Sequence, residues 1–514
     1  MRTRLVSLAL VGPVALTLAV PLVACGKKEP AGKAGAGKVE RDGAGSGSGS
    51  ASGSAAPAEP RVAPPPRPLP PLAESPPGAT GAVAWVTSLG GTRVDIVRRL
   101  AVGGDGAVYA VGDFEEAATF AGAGARTAAG KSDAFVARLD ASGAVSWVTT
   151  IGGKHEERGD AVAVDDKGNV AATGLFSSTV TAGGLSGKAT GSDDLFVVGL
   201  DPAGEVQWLW TAGGPASDAA TAIAAAGDGG WIVAVSFGQE VALGATTVTS
   251  RGGDDAALVK LGAGGEVEWV TQLGGEYPDE VSHVAVDPAG NIYALGRFKG
   301  TITLGGTTHK SAGDDDLFVA RFDPVGNHVW SVRLGNPFQE RAGGLAVDPA
   351  GHVVITGSFD KDLDVLGTPV LSKGESDVFV ARLSPEGKLL WVKTYGGERA
   401  DVGLGVAADA AGNLVVVGGF ETTIDLGGGP FKTAGYMDGF FLKLDAAGTH
   451  VWSRRWGAKD QDVGLAVAIG RDGTPYVSGA YRFTLDLVPG GPTAVQAEGA
   501  KLAKPDAFVA RLAP

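Results

Sequence analysis

Seven carboxylic acids, Asp95, Glu157, Asp218, Asp279, Glu340, Asp401 and Asp462, recur along this chain at a near-constant spacing. Carboxylate oxygens are the ligands Ca²⁺ takes, so a circle of such acids around a channel mouth could hold a cation. The same oxygens also accept N–H bonds from loop backbone, as a turn cap does. The cap is the preferred reading, because an ion site has no need of seven copies. A second series, Asp133, Asp194, Asp255, Asp316, Asp377, Asp438 and Asp506, keeps the same period and takes the same reading, although its last gap is longer. Two residues before each acid of the first series the side chain changes from copy to copy: Arg93, His155, Ala216, Tyr277, Phe338, Arg399 and Asp460. That variation in a loop favours recognition of a partner over a reaction.

Familiar catalytic patterns are missing. The histidines His155, His283, His309, His328, His352 and His450 follow no metal-ligand spacing, and neither Gly-x-Ser-x-Gly nor His-Glu-x-x-His occurs. Cys25 is the only cysteine, which excludes an intramolecular disulfide and a cysteine-held metal, and no cofactor is expected apart from the Ca²⁺ alternative. The formal charge is −14, and removing Arg2, Arg4 and the two surplus bases of residues 26–80 leaves −18 on the remainder. So acidic a body disfavours nucleic acid as a partner.

The elements that must carry these acids follow from a repeat. Each acid of the first series stands ten residues after a tryptophan: Trp85, Trp147, Trp208, Trp269, Trp330, Trp391 and Trp452. A fixed period of about 61 residues marks one supersecondary unit copied along the chain. Read around Trp269 and Trp330, the unit offers four apolar runs of strand length, at 283–286, 292–298, 317–322 and 328–334. Tight turns at 287–291 and 323–327 join them in pairs, with Asp-Pro opening the turn and Gly-Asn accepting positive φ. Four antiparallel strands per unit describe one blade of a propeller. Residues 81–91 supply a fourth strand with no third before it, and 506–512 a third with no fourth after it. Pairing the two would close the circle and leave no open edge. The expected fold is therefore all-β, a single seven-bladed β-propeller over residues 81–514. The tryptophans and the series Phe114, Phe176, Phe237, Phe298, Phe359, Phe420 and Tyr481 are expected in its core, and the copy that includes 224–231 is expected to be irregular because it lacks the usual Val-Asp turn.

The motifs resemble the bacterial β-propeller repeat abbreviated SBBP: Trp269, Gly274, Gly275, Asp279, the turn at 284–291, and 316–323. The resemblance covers residues 81–514 and implies a fold but no particular ligand. At the other end, Arg2 and Arg4 precede an apolar run, and Leu22-Val23-Ala24-Cys25-Gly26 resembles a bacterial lipobox, which implies removal of residues 1–24 and lipidation of Cys25. Residues 25–80 are rich in Gly, Ser and Pro and read as a tether. The combined expectation is a lipid-anchored propeller of the bacterial cell envelope, by sorting analogy at the outer membrane. It would bind or scaffold an envelope protein or polysaccharide. The alternative is an envelope hydrolase acting on glycans or peptides. Candidate partner-binding residues are Tyr277, Phe338, Tyr436, Met437, His155, Arg93 and Arg399, with a longer final loop at 488–505 that adds Lys501 and Lys504. Replacing Cys25→Ser should abolish incorporation of labelled fatty acid and shift the protein out of the membrane fraction. Unchanged membrane fractionation of the variant, with no label in the wild type, would refute the anchor.

Overall fold

The computed structural model describes residues 80–91, 93–487, 495–496 and 505–514. Residues 1–24, Cys25, the tether up to residue 79, Lys501 and Lys504 lie outside them. The described residues are all-β: no helix occurs among them, and hence none long and apolar enough to cross a membrane. Strands pair antiparallel in fours. In one such unit Asp279–Val286 pairs with Ile292–Leu304, which pairs with Thr307–Phe322, which pairs with His328–Leu334.

The turn chemistry explains why the chain reverses where it does. The Asp287 N–H donates to the Asn291 carbonyl, while Asp287 Oδ1 accepts from the backbone N–H of Ala289 and of Asn291, each at 2.9 Å. The copy expected to be irregular keeps its strand pairing, Ala225 opposite Trp231, while its turn differs: Gly227 and Gly229 are both at positive φ, and the cap is Asp228 Oδ1 accepting from the Gly230 N–H at 2.9 Å. The second and third strands run further than the apolar runs suggested. Past a bulge at Lys299 and Thr301 they continue as an alternating ribbon, Thr301 opposite Lys310 and with Ile302 and Leu304 buried, to a turn at Gly305 and Gly306, both at positive φ. A ribbon needs only alternation and a turn, not an apolar run.

The units are named here by their first strands: A, Asp95–Val102; B, Glu157–Val164; C, Ala219–Ala225; D, Asp279–Val286; E, Glu340–Val347; F, Asp401–Ala408; G, Val463–Ile469. Each first strand touches that of the next unit, and the first strand of G touches that of A. In unit G the third strand, Asp506–Leu512, pairs on one side with Pro475–Tyr481 and on the other with Val83–Gly91. The core lies between sheets. One apolar cluster joins Ile232, Leu258 and Trp269 of C to Ile292, Phe298 and Phe318 of D; another joins Tyr476 and Val509 of G to Val97 and Phe114 of A. The six phenylalanines of the repeat series and Tyr481 are all fully buried.

The repeat tryptophans join the core as expected: Trp269 and Trp452 are buried within the apolar clusters, and the other five pack against the clusters half-buried, on the fourth strands. Each indole also meets a glycine of the following unit. A Cβ on Gly387 would stand 2.9 Å from the Trp330 ring, and one on Gly326 2.8 Å from the Trp269 ring; both glycines are at positive φ. No other residue satisfies that φ and that clearance together. The Trp330 indole N–H donates to the Pro385 carbonyl at 2.9 Å and that of Trp85 to the Ala141 carbonyl at 3.0 Å, so the same clasp recurs. Gly81 lies against Trp452 in the same way.

Deleting residues 506–514 removes the strand that joins Pro475–Tyr481 to Val83–Gly91 and bares two sheet edges. The truncated protein should aggregate, or lose its cooperative melt by more than about 10 °C. A melting transition identical to the wild type in calorimetry would contradict the importance of this junction.

Candidate functional site

The two acid series, separate in sequence, meet at the boundary between neighbouring units. Each first-strand acid faces the acid that opens the third strand of the preceding unit: Glu157 faces Asp133, Asp279 faces Asp255, Asp401 faces Asp377, and Asp95 faces Asp506. The first-strand acids do not line an open mouth, as the spacing led us to expect. They are at most 2% exposed.

The cap is present at five of the seven first-series acids, Asp95, Asp218, Glu340, Asp401 and Asp462, whereas among the described residues neither carboxyl oxygen of Glu157 or of Asp279 has a hydrogen-bond partner. Asp95 Oδ2 accepts from the Gly91 N–H at 2.7 Å, Asp218 Oδ2 from Gly214 at 2.6 Å, Asp401 Oδ2 from Gly397 at 2.7 Å and Asp462 Oδ2 from Ala458 at 2.8 Å. The third-strand acids do likewise, Asp133 Oδ1 accepting from Ala129 at 3.0 Å and Asp438 Oδ2 from Ala434 at 2.9 Å. Among the described residues no group of three or more His, Cys, Asp or Glu side chains is placed to hold a metal ion. Two acids per boundary fall short of the six to eight oxygens that Ca²⁺ gathers.

Burial, with the facing carboxyl adding to it, outweighs the hydrogen bonds and raises the pKa of every one of these acids, far enough to keep Asp95, Glu157, Glu340 and Asp401 protonated at neutral pH. The pKa is pushed up to about 8 for Asp95, Glu157 and Asp401, about 9 for Glu340, about 7 for Asp279 and Asp462, and about 6 for Asp218. Charging both acids of a pair would place two unscreened anions in an apolar seam.

A second constellation, not anticipated from the sequence, spans the first strands and the second and third strands beside them. Arg98 binds Asp113 at 2.7 Å and lies 3.9 Å from Asp160, which pairs with Arg158 at 2.8 Å; Arg297 bridges Glu280 and Asp315, each at 3.0 Å. Across from these, Arg99 of unit A donates to His283 Nε2 of unit D at 3.0 Å. Nε2 therefore carries no proton, and Nδ1–H donates to Ser282 Oγ at 3.0 Å, whose hydroxyl reaches the Leu295 carbonyl at 3.3 Å. Burial, reinforced by Arg99, holds the His283 pKa well below its usual value, so the imidazole is neutral and its lone pair is occupied. The signal for this cluster was available in the repeat: one position after the acid the residues read Ile96, Arg158, Ala219, Glu280, Arg341, Val402 and Val463, a break in an otherwise apolar strand.

The candidate partner-binding residues sort by exposure. Tyr436 is 80% exposed and Tyr277 43%. His155 is exposed, and Arg93 and Arg399 are held by Glu116 and Glu375 at 2.7 and 2.9 Å. Phe338 is half-buried beneath the Lys361 ammonium, 4.4 Å from its ring centre. Met437 is a correction: it is buried, because its sulfur lies over Gly419. Bridges such as Met437 to Gln461 and Ser376 to Ala400 bring the start of each third strand beside the variable loop, so both candidate groups share one face.

The buried acids predict a pH dependence. A carboxyl whose folded pKa is raised stabilises the fold below its unfolded pKa, and that stability is lost as pH rises through the folded value. For Asp401 the window runs from its ordinary value of 3.8 to about 8. The melting midpoint of the wild type should therefore fall between pH 5 and pH 8.5. Asp401→Asn, which keeps an oxygen for Gly397 but cannot ionise, should narrow that fall by roughly 2 °C or more. Equal pH slopes in the two proteins would show that Asp401 is ionised throughout.

Comparison with known proteins bears on the repeat. Residues 268–297 match the family model described as beta-propeller repeat, SBBP. The chain is 19% identical over 199 residues to an uncharacterized WD repeat-containing protein, L264, of Acanthamoeba polyphaga mimivirus, and 27% identical over 135 residues to the regulatory protein FlaEY of Caulobacter vibrioides. These alignments take in 32% and 26% of this chain but only 14% of each relative, so the chain spans about one seventh of the curated relatives it matches. Among solved structures, the Neurospora crassa Pan2 WD40 domain is similar at a TM-score of 0.43 and 12% identity, over 82% of this chain and 90% of that one. Within this all-β body, residues 268–297 carry an SBBP-type beta-propeller repeat.

Proposed function

We propose that residues 81–514 form a closed seven-bladed β-propeller that serves as a binding or scaffold module, held to a bacterial envelope membrane by a lipid on Cys25. Closure is supported by the contact of the first strand of G with that of A and by Gly81, which lies against Trp452 as a glycine does at the other boundaries, although among the described residues the Trp452 indole N–H has no hydrogen-bond partner. The lipid anchor and its outer-membrane placement rest on the leader and on Cys25-Gly26. The partner is an envelope protein or polysaccharide; the acidic charge argues against nucleic acid.

The observation that carries the binding role is the exposure of Tyr436 and Tyr277 on one face, beside Phe338 and the variable charged loops. Exposed tyrosines supply rigid contact area and are enriched at interface hot spots. The hydrolase alternative draws on the gathering of Arg98, Arg158, Asp113 and Asp160 at one spot. There Arg98 and Arg158 pair with Asp113 and Asp160, and burial still holds the Asp113 carboxyl above its usual value.

Combined Ala substitution of Tyr277, Phe338 and Tyr436 should leave the melting midpoint unchanged and weaken capture of the envelope partner roughly tenfold or more. If pull-downs from native envelope are unaffected, while substitutions in the Asp-x-x-Gly turns of the opposite face abolish capture, the binding face has been misassigned.

A further inference from the structure

The outer rim of the molecule carries a feature that the repeat does not require. The residue just before each repeat tryptophan reads Ala84, Ser146, Gln207 and Glu268, and then Val329, Leu390 and Val451. The last three, on the consecutive units D, E and F, are 50%, 50% and 44% exposed. Between the fourth strands of D and E lies an open groove of about 710 Å³, lined by Val332, Leu366, Leu390 and Trp391 together with Thr368 and Lys388. That volume suits a short extended segment rather than a folded domain.

We infer that this groove and the apolar rim beside it receive the chain's own proline-rich segment, residues 62–79. The described body begins on this rim. The Thr80 carbonyl accepts from Arg454 Nε at 3.0 Å and from a terminal guanidinium nitrogen at 2.8 Å, and Gly81 rests on Trp452. Gly81 stands to Trp452 as Gly387, which lines the groove, stands to Trp330. The chain thus enters at the F–G boundary in the position that the groove occupies at the D–E boundary, with exposed Val451 beside the entry point.

The segment has the composition for the site. Eight of its 18 residues are proline, and Leu69 and Leu72 are spaced within Pro68-Leu69-Pro70-Pro71-Leu72. Proline-rich chain adopts an extended left-handed helix at about 3.1 Å per residue and loses little entropy on docking into aromatic-lined grooves. Eighteen residues reach about 55 Å, against a radius of gyration of roughly 22 Å for a compact body of this size. Docking covers exposed leucine and valine on both sides and fixes the direction in which the tether leaves the body.

The test uses the full-length protein with a photo-crosslinking phenylalanine analogue replacing Leu390, a position exposed enough to tolerate it. Irradiation should give crosslinks within one chain, from position 390 to residues 62–79, with a yield independent of protein concentration. The additional double substitution Leu69→Asp, Leu72→Asp should cut that yield at least tenfold, with the melting midpoint of the body unchanged. Crosslinks between two copies, crosslinks to another molecule, the absence of any crosslink, or a yield insensitive to the double substitution would each overturn the inference. The top-face aromatic residues take no part, so this outcome is independent of partner capture.

Discussion

The tryptophan-on-glycine clasp is the contact on which the remaining architecture depends. A sheet that packs against two neighbours needs its spacing and tilt fixed at the rim as well as in the core. The indole supplies a flat plate, and the glycine at positive φ is the surface that can lie against it. The indole N–H then bonds a carbonyl two residues earlier in the same turn, as Trp391 does with Ala446 at 3.2 Å. Register within the turn, direction of the strand and distance between sheets are thereby set by one side chain per unit. This explains why a half-exposed tryptophan holds its place through a repeat whose loops vary freely.

The buried acids solve a different problem on the same boundaries. Each loop that leads into a first strand must satisfy several backbone N–H groups, and one carboxyl oxygen does so at Gly91, Gly214 and Gly397. Carrying a second acid from the preceding unit to the same place would be costly if both were charged. Protonation removes the cost. At the D–E and F–G boundaries Arg333 and Arg455 also sit against Asp316 and Asp438, yet the pKa values of the facing Glu340 and Asp462 stay raised, to about 9 and about 7. The guanidinium at these two boundaries thus adds to protonation of the facing acid and does not replace it.

Much of this was legible in the sequence. The period, the four strands of a unit and the Asp-x-x-Gly turns all come from local rules, and local rules act within a few residues. Three things were not. The glycine that each tryptophan lies on was not seen because it stands in the following unit, as Gly387 does for Trp330. The acids looked like a mouth because spacing places a residue along a strand but does not say which loop covers it. The ribbon of residues 301–310 was missed because alternation carries a weaker signal than an apolar run. The Arg98–Asp113 and Arg99–His283 contacts were absent from the reading for the opposite reason. They occur where copies differ, and attention to what repeats passes over what does not.

The pairing of Val83–Gly91 with Asp506–Leu512 has a mechanical consequence. Any pull on the chain before residue 80 enters the body at a point where Arg454 grips a carbonyl and an indole backs Gly81. Beyond that point lies a strand hydrogen-bonded along its length. Load of this kind is shared among many bonds at once when it runs along the strand, and falls on them one after another when it runs across. An anchored molecule of this build would therefore resist drag in one orientation and yield in another. The direction in which load reaches residue 80 decides which of the two applies.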